Sequence, residues 1–389
     1  MKILLAHNRY ASRGGEDTVF DRERDLLRAY GHEVLEYTRE NQTIGAAGKI
    51  RLAIGAVWSD ESYKEVKQLM ERMRPDVLHV HNTLPLISPA IYYAASACKV
   101  PVVQTLHNYR LLCANAMLVR NSVVCEDCVG KTIAWPGILH KCYRGDRGAS
   151  ISVVGTVAVH RLAGTWRRKV ARYIALCEFA RGKLLASGLP EDRVVVKPNF
   201  AVDRQVPTAL SGPKSGALFV GRLSEEKGLR VLFEAWRDIE VDLGILGSGL
   251  MESELRAKAS SRVRFLGFSD DAGHIFETMR RASFIVMPSL VYENFPMIVA
   301  EAFSAGTPII ASRLGALAEL VEDGVTGLHF NPADAADLAS KVRWADAHPD
   351  QMAQMGQHAR RRYEQSYTPE ANYSQLIQIY GEAKEVVSG

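Results

Sequence analysis

Two glutamates of the C-terminal half stand on either side of a predicted helix start. Glu293 lies in a polar segment, Pro296 follows at the favoured first position of a helix, and Glu301 lies within the apolar run Met297–Ala305. At 1.5 Å per residue, Glu301 would be about 7.5 Å along the helix axis from Pro296. Carboxylates at the two ends of such a segment could accept hydrogen bonds from the paired hydroxyls of an extended ligand. The alternative is structural: a solvated loop residue and a residue on a helix surface.

The start of the same predicted helix offers donors for an anion. The backbone N–H groups of Phe295, Met297 and Ile298 would have no partner within the helix. Unpaired N–H groups at the positive end of a helix dipole favour a phosphate or diphosphate. The sequence therefore predicts an anion site beside the two carboxylates.

A cationic loop, Gly221–Gly228, follows a predicted strand and places Arg222 and Lys227 close together in sequence. Two cations at the end of a strand can neutralise the charge of a leaving diphosphate. A purely structural loop is the alternative, because Ser224 could cap the following helix with two acidic residues in its first turn.

Further motifs follow this loop along the C-terminal half. In order they are Gly221-Arg222-x5-Gly228 with its Glu226-Lys227 pair, Gly247-x-Gly249, Val263-x-Phe265-Leu266-Gly267, Glu293-x7-Glu301 and Gly306-Thr307-Pro308. In this order and spacing they resemble the donor domain of glycosyltransferase family four, retaining enzymes of the GT-B fold. The resemblance is dense over about residues 217–345 and continues elsewhere through the alternation of strands and helices.

The resemblance implies a role for each of these residues. Glu293 would contact hydroxyls of the transferred sugar, and Glu301 the ribose. Arg222 and Lys227 would hold the diphosphate, so that no catalytic metal is implied. Asn294 departs from the pattern, since the family often has glycine there, but asparagine tolerates the left-handed conformation. The other predicted donor-binding residues are Gly14, Gly15, Gly249, Gly267, Phe268, Phe295, Pro296 and Met297, with the backbone around Gly267 and Phe268 meeting the base.

Two segments of the N-terminal half end predicted strands in polar or glycine residues. Gly14 and Gly15 follow the first strand and precede a helix; taken alone they indicate a turn, and the resemblance implies a loop against the donor phosphates and the acceptor. His107 ends the run Val102–Leu106, where the family has a histidine close to the reacting sugar. We expect it to position a sugar hydroxyl. His81, at another strand end, is the second candidate and would face the acceptor.

Four of the six cysteines cluster in one loop-like region: Cys113, Cys125, Cys128 and Cys142. Four thiolates can hold a structural zinc ion tetrahedrally, and such a site would leave no open position for catalysis. Free or redox-active thiols and disulfides are the alternatives, and a cytoplasmic chain disfavours disulfides.

Short β-branched runs alternate with amphipathic stretches in both halves, which predicts two doubly wound α/β domains of the GT-B type, facing a cleft. Residues 1–202 would form the acceptor-side domain and 203–366 the donor domain, joined near the Pro-, Gly- and Ser-rich loop Val206–Gly216. A C-terminal helix, about 367–389, could pack back on the first domain. Ligands of open α/β sheets bind beyond the carboxyl ends of the strands, where the motifs lie. The predicted strands are Lys2–Ala6, Glu33–Tyr37, Asp76–His81, Val100–His107, Tyr173–Cys177, Arg193–Lys197, Ala217–Val220, Val241–Leu246, Val263–Leu266, Phe284–Met287 and Thr307–Ala311.

Charge is unevenly distributed along the 389 residues. The formal net charge is +4, but residues 1–200 carry 29 Lys and Arg against 19 Asp and Glu. The excess is either incidental or marks a face for anionic lipid or a phosphorylated acceptor. Nucleic acid is disfavoured, because no basic run is interleaved with aromatics. The basic stretch Trp166–Arg172 is either a peripheral membrane contact or a solvated helix face.

No apolar run has the length of a secretory signal or of a spanning helix, so we expect a soluble, cytoplasmic protein, either free or at the inner face of the membrane. The expected reaction is retaining transfer of a hexosyl unit from a UDP- or GDP-linked sugar to a lipid-linked or saccharide acceptor, in surface polysaccharide or glycolipid biosynthesis. It would need no cofactor for catalysis. A nucleotide-sugar 2-epimerase, which releases its product without an acceptor, and a non-catalytic sugar-nucleotide sensor are the alternatives.

Overall fold

The structure, a computed structural model, describes residues 1–10, 14–40, 48–204 and 214–388. The chain divides into two compact units. The first unit comprises Met1–Leu118, Cys125–Lys197 and Tyr373–Gly389, and the second comprises Val119–Val124 and Pro198–Asn372. The predicted linker loop Val206–Gly216 lies largely outside the described residues.

Parallel strands form the two main sheets, and one short antiparallel hairpin accompanies them. In chain order the strands are β1 (Lys2–Arg9), β2 (Glu33–Glu40), β3 (Val77–Asn82), β4 (Val102–Thr105), β5 (Val119–Arg120), β6 (Val123–Val124), β7 (Arg172–Ala175), β8 (Val194–Val196), β9 (Ala217–Val220), β10 (Leu243–Leu246), β11 (Val263–Gly267), β12 (Phe284–Met287), β13 (Ile309–Ser312) and β14 (Gly327–Phe330).

Helices occupy most of the connections between the strands. They are α1 (Gly15–Ala29), α2 (Gly48–Val57), α3 (Asp60–Met73), α4 (Ala90–Ala97), α5 (Trp135–Leu139), α6 (Arg147–Leu162), α7 (Thr165–Arg168), α8 (Glu178–Ala186), α9 (Leu229–Ala235), α10 (Glu252–Lys258), α11 (Ala272–Arg281), α12 (Met297–Ser304), α13 (Ala316–Leu320), α14 (Ala335–Ala347), α15 (Pro349–Ser366) and α16 (Pro369–Ser388).

The sheet of the first unit has the strand order β2-β1-β3-β4-β7-β8. Its strands are continuous apolar runs, as in β1, where Ile3 and Leu5 are fully buried, because helices cover both faces of a parallel sheet. The chain leaves β1 towards β2 and then returns to place β3 on the other side of β1. This reversal creates a crevice at the carboxyl ends of β1 and β3, the usual ligand position in such sheets.

The sheet of the second unit has the order β11-β10-β9-β12-β13-β14, with the reversal between β9 and β12. Its core gathers Trp236, Phe284 and Phe330, each at most 1% exposed. The indole of Trp236 donates to the carbonyl of Val241 at 2.9 Å, so that its single polar atom is satisfied inside the core. The prediction of two α/β domains with doubly wound parallel sheets is thus confirmed.

The C-terminal helix α16 has residues in both units. Its part from Tyr373 onward belongs to the first unit, where the hydroxyl of Tyr373 lies 2.9 Å from His32 Nε2 and that of Tyr380 lies 2.8 Å from His79 Nδ1. Among the described residues no helix has both the length and the apolarity needed to cross a bilayer.

Candidate functional site

In the second unit, two loops meet at the reversal of strand order between β9 and β12. The cationic loop Gly221–Gly228 follows β9, and the polar segment that contains Glu293 follows β12. The backbone N–H of Leu290 donates to the carbonyl of Glu226 at 2.9 Å, which fastens one loop to the other. Topology therefore brings together the two motifs that are 66 residues apart at Lys227 and Glu293.

An ion pair joins these loops. Lys227 Nζ lies 2.6 Å from Glu293 Oε1, with side-chain exposures of 23% and 13%. The hydroxyl of Ser289 donates to the same oxygen at 2.7 Å. Burial pushes the pKa of Glu293 upward, but Lys227, Ser289 and Arg222 outweigh it and hold that pKa below its ordinary value. Glu293 is therefore a charged acceptor, poised for hydroxyl or ammonium donors, at neutral pH.

Arg222 is the exposed cation of the site. Its side chain is 73% exposed and its guanidinium lies 3.5 Å from Glu226. Ser224 donates to the same Glu226 carboxylate at 2.6 Å and makes no capping bond to a helix backbone. The structural alternative for this loop, in which Ser224 caps the helix, is not what the structure shows. An exposed guanidinium can turn towards a phosphate and bind it through two parallel bonds.

Glycines give the loops of the second unit their close backbone packing. Gly228 has φ +72°, and a Cβ there would lie 1.8 Å from the carbonyl oxygen of Pro288. At Gly247, with φ +150°, a Cβ would lie 1.9 Å from the carbonyl oxygen of Gly221. At Gly249 the clash would be with the backbone of Leu223, at 2.4 Å. Gly249, predicted to bind the donor, thus has a packing role between the loops after β9 and β10.

The helix start predicted as an anion site begins one residue later than expected. Pro296 is the N-cap of α12, not its first helical residue, because its ψ of 126° is extended; Met297 begins the helix, and no side chain caps it. Phe295 is buried and packs edge-on against Tyr367, with 5.3 Å between ring centroids. Val299 N–H already bonds to Pro296 O, so that the first turn, Met297 and Ile298, carries the donors for a ligand.

Four further predicted residues belong to this unit. Asn294 and Glu301 lie in the segment after β12, and Gly267 and Phe268 are the residues predicted to contact the base. Asn294 does not have a positive φ, so the tolerance of asparagine for the left-handed conformation is not needed at this position. Glu301 is half-buried in α12, the helix that follows Glu293 in the sequence. Gly267 ends β11 with φ +78°, and Phe268 beyond it is 72% exposed, which suits stacking on a planar ring.

In the first unit, Gly14 and Gly15 form the start of α1. Gly14 is the N-cap, its N–H donates to Asp17 at 2.9 Å, and Asp17 also lies 2.8 Å from His7 Nε2. Burial raises the pKa of Asp17, but the bonds from His7 and Gly14 together hold it below its usual value. Gly15 is exposed, and a Cβ there would meet nothing within 4 Å, so open space adjoins this helix start. Arg13 lies outside the described residues.

His107 and His81 are in direct contact. His107 Nε2 lies 2.9 Å from His81 Nδ1, and both residues line a cavity of the first unit with Asn82, Gln104 and Arg110. Burial and neighbouring positive groups lower the pKa of both imidazoles well below the ordinary value, so both are neutral at pH 7. His107 is half-buried, whereas the side chain of His81 has no exposure. His81 is thus more deeply buried than His107, and its acceptor-side role stays a prediction.

A buried ion pair beneath these histidines was not predicted. Lys197 Nζ lies 2.6 Å from Glu23 Oε1, and neither side chain has any exposure. Glu23, His79 and His81 present atoms within 4.8 Å of one another, a spacing that could suit a metal, but the ammonium of Lys197 already supplies positive charge there. The sequence signal was a lysine and a glutamate within otherwise apolar faces, 174 residues apart.

The four clustered cysteines do not reach metal-binding spacing. Among the described residues, the group with ligand atoms within 4.8 Å of one another is Glu23 with His79 and His81, and no thiol belongs to it. In the described part of the chain none of the four cysteines forms a disulfide, and burial together with Cys113, Cys142 and Cys125 raises the pKa of Cys128 to about 11. The thiols are thus close enough to influence one another, and the zinc site stays a prediction.

Trp166, the aromatic residue of the basic stretch Trp166–Arg172, is 5% exposed and belongs to the core of the first unit. Its indole donates to Val157 O at 3.2 Å. The membrane alternative for this stretch therefore cannot rest on Trp166, because its side chain is buried. Because basic residues follow Trp166 in the sequence, the stretch resembles an amphipathic surface segment. In the fold the side chain of Trp166 packs into the core instead.

Two family models match the chain. One, described as "Glycosyl transferase 4-like domain", matches residues 14–199, and the other, described as "Glycosyl transferases group 1", matches residues 214–345. The two matches fall on the two units and contain every predicted site residue, including His107 and Glu293.

Similar proteins include a phosphatidyl-myo-inositol mannosyltransferase of Mycobacterium leprae, 33% identical over 232 residues, which are 55% of this chain and 60% of that protein. A glycogen synthase of Mycobacterium tuberculosis is 27% identical over 331 residues, 80% of this chain and 70% of that protein. Among solved structures, Alr3699/HepE of Anabaena in complex with UDP-glucose has a TM-score of 0.68 at 18% identity, covering 97% of this chain and 98% of that chain. These comparisons give no support to the 2-epimerase alternative.

Proposed function

The chain belongs to the group 1 glycosyltransferases of the GT-B fold, and we propose that it transfers a hexosyl unit from a UDP- or GDP-linked sugar to an acceptor hydroxyl with retained anomeric configuration. The observation that carries this proposal is the Lys227–Glu293 pair, which joins two loops at the reversal of strand order in the second unit. Such a position is where open α/β sheets bind nucleotides.

Each part of the donor has a partner in this proposal. The diphosphate lies between Arg222, Lys227 and the N–H groups that begin α12. Glu293 accepts hydrogen bonds from hydroxyls of the sugar, and Glu301 accepts them from the ribose. Exposed Phe268 lies against the base. The donor base remains open between uracil and guanine, because both present a flat face and hydrogen-bonding edges.

In the proposed reaction the acceptor attacks from the face that the leaving diphosphate occupies, so that the anomeric configuration is retained. The bond between the anomeric carbon and the diphosphate oxygen breaks, the acceptor oxygen attacks the same face, and its proton leaves with the diphosphate. Lys227 and Arg222 stabilise the negative charge that develops on the leaving group, which is the contribution that a divalent cation makes in other enzymes. We therefore propose that catalysis needs no metal. The four cysteines of the first unit, by contrast, are proposed to hold a structural zinc ion.

The acceptor is proposed to be a saccharide or a lipid-linked sugar in surface polysaccharide or glycolipid biosynthesis. Exposed apolar side chains suited to a membrane lie on α5 and just before it: Trp135 and Leu139 are 55% and 53% exposed, and Ile133 is 49% exposed. Trp135 and Leu139 share a helix face at i and i+4. Lys131 and Lys141, both exposed, flank them, which suits anionic lipid at the inner face of a membrane.

The test is a transfer assay with panels of UDP- and GDP-linked sugars, with and without saccharide and lipid-linked acceptors. A chelator is present to remove divalent cations. We expect a glycoside whose anomeric configuration, read from the proton coupling at the anomeric carbon, equals that of the donor. An inverted product would refute retention. An epimerised nucleotide sugar formed without acceptor, or donor binding without turnover, would favour the epimerase or the sensor instead.

A further inference from the structure

A chain of four side chains runs from the edge of the cavity into the core of the first unit. We call it the histidine chain: His107, His81, Glu23 and Lys197. His107 Nε2 is 2.9 Å from His81 Nδ1, His81 Nε2 is 3.5 Å from Glu23 Oε2, and Glu23 Oε1 is 2.6 Å from Lys197 Nζ. The last three side chains have no exposure, so packing fixes their positions.

The contact between His81 and Glu23, in the middle of the histidine chain, is between two atoms that lack a hydrogen bond to any described residue. Within the described part of the protein, neither His81 Nε2 nor Glu23 Oε2 has a hydrogen-bond partner, and the two face each other. Leaving a buried carboxylate oxygen without a donor is costly. Closing the gap by roughly half an ångström would create an ordinary N–H···O bond. This contact favours the tautomer of His81 that carries its proton on Nε2.

The neighbouring His79 does not compete for Glu23. Its Nδ1 is 2.8 Å from the hydroxyl of Tyr380 and its Nε2 is 2.8 Å from that of Thr105, so both nitrogens have hydroxyl partners. Burial lowers the pKa of His79 to about 4, which keeps it neutral. Lys197 balances the charge of Glu23 from the other side. The free oxygen of Glu23 is therefore directed at His81.

We propose that Glu23 and His81 are positioning residues that set the tautomer of His107. His81 donates its Nε2–H to Glu23 and accepts the Nε2–H of His107 on Nδ1, which leaves His107 Nδ1 as a bare acceptor. A neutral imidazole has one donor and one acceptor, so fixing one nitrogen fixes the other. This role of His107 rests on the proposed transfer reaction. In that reaction the bare Nδ1 of His107 accepts a hydrogen bond from a sugar hydroxyl. No proton is transferred along the histidine chain.

The first experiment needs no substrate. Nitrogen-15 spectra of the histidine side chains, with His107 assigned by comparison with His107→Gln, distinguish protonated from bare imidazole nitrogens at neutral pH. We expect His107 and His81 to be protonated at Nε2 and bare at Nδ1. A His107 protonated at Nδ1 would overturn the proposal. Because the spectra are recorded on the chain alone, this result is independent of whether hexosyl transfer is confirmed.

The second experiment separates tautomer control from packing. His81→Asn retains an acceptor oxygen near the position of Nδ1, whereas His81→Leu fills the space without one. We expect His81→Leu to lower kcat about tenfold, since one aligning hydrogen bond is lost, with KM for the donor little changed, and His81→Asn to stay within about threefold of the wild type. Equal losses in the two variants would show a packing role and overturn the proposal.

A matched control lies in the same buried cluster. Tyr380→Phe removes the hydroxyl that contacts His79 and leaves the histidine chain intact. We expect it to lower the melting temperature without altering the tautomer of His107 or kcat. A change of tautomer in Tyr380→Phe would show that general packing, and not Glu23 and His81, orients His107. If the wild type transfers no sugar, the proposed function fails while the spectra still decide the tautomer.

Discussion

Replacing Lys227 by methionine removes one charge from the pair that joins the two loops of the second unit and keeps most of the side chain's volume. Glu293 then remains 13% exposed with Ser289 as its hydrogen-bond donor and without an ammonium group at 2.6 Å. The double variant Lys227→Met/Glu293→Gln removes both charges and leaves neither uncompensated. Comparing the single and double variants isolates the interaction between the two side chains.

The expected loss of stability follows from burial. Breaking a fully buried ion pair costs roughly 3–5 kcal/mol, and partial exposure of both side chains reduces this to about 2–3 kcal/mol. The pH dependence has a definite sign. Because the folded pKa of Glu293 lies below its unfolded value, the pair stabilises the fold above the unfolded pKa of about 4.3, and this contribution is lost as pH falls through the folded pKa. The difference in melting temperature between Lys227→Met and the wild type should therefore narrow at acid pH.

The expected loss of activity is larger. A cation aimed at the leaving diphosphate supplies transition-state stabilisation, and removing one such group lowers turnover by about 10² to 10³-fold. Glu293→Gln should give a loss of similar size with less effect on donor binding, since an amide still offers one acceptor to the sugar. We also expect Arg222→Ala to reduce turnover, because Arg222 supplies the second cation.

The assay combines steady-state transfer kinetics near neutral pH with thermal unfolding from about pH 8 down to about pH 2, so that the scan passes through the unfolded pKa of about 4.3 and the lower folded pKa of Glu293. Lys258→Met is the matched control: Lys258 pairs with Glu254 at 2.8 Å, but its side chain is 59% exposed, so the variant should behave as wild type. A Lys227→Met variant with near-normal kcat/KM would refute the donor site. Purely additive effects in the double variant would refute the coupling between Lys227 and Glu293.

Three further predictions concern other parts of the chain. Gly228→Ala should destabilise the second unit by about 2–4 kcal/mol, because alanine is strained at φ +72° and would strike Pro288 O, whereas Gly182→Ala in open helical space should not; equal melting temperatures would contradict this. Serine at Trp135 and Leu139 should abolish flotation with anionic liposomes, while serine at fully exposed Leu250 should not; binding insensitive to salt or to these changes would argue against the membrane contact. Elemental analysis should find one zinc per chain, lost when the two cysteines of the Cys-x2-Cys motif are replaced by serine; a metal-free native protein would exclude the zinc site.

Sequence reasoning located most strands, since buried parallel strands are short apolar runs between turn residues. It missed β14, because Gly327 opens that strand and glycine usually indicates a loop. The structure explains this glycine: a Cβ there would lie 1.9 Å from Ile309 O, on the neighbouring strand. It also missed the hairpin of β5 and β6, whose turn residues Asn121 and Ser122 both have positive φ without the glycine that usually signals such a turn.

The charged residues of the proposed donor site could be predicted because they lie in loops at strand ends, where the core does not require a charged side chain. Lys227 and Glu293 stand out as charges in short motifs, although their direct contact depends on strand order. The buried pair of Glu23 and Lys197 could not be predicted in the same way. A lone charged side chain is ordinarily solvated, and only the fold places the two 2.6 Å apart.

The two units thus use their ion pairs in different ways. In the second unit the ion pair lies beyond the strand ends, and exposed Arg222 adds positive charge beside it; an arriving diphosphate can take over Lys227 while Glu293 turns to sugar hydroxyls. In the first unit the ion pair is sealed in the core, where no ligand can replace either partner. Its remaining use is to direct a neutral neighbour, and the unsatisfied oxygen of Glu23 facing His81 is the atom through which it would do so. In the mechanism that we propose, charge binds the donor in one unit and orients an uncharged histidine in the other.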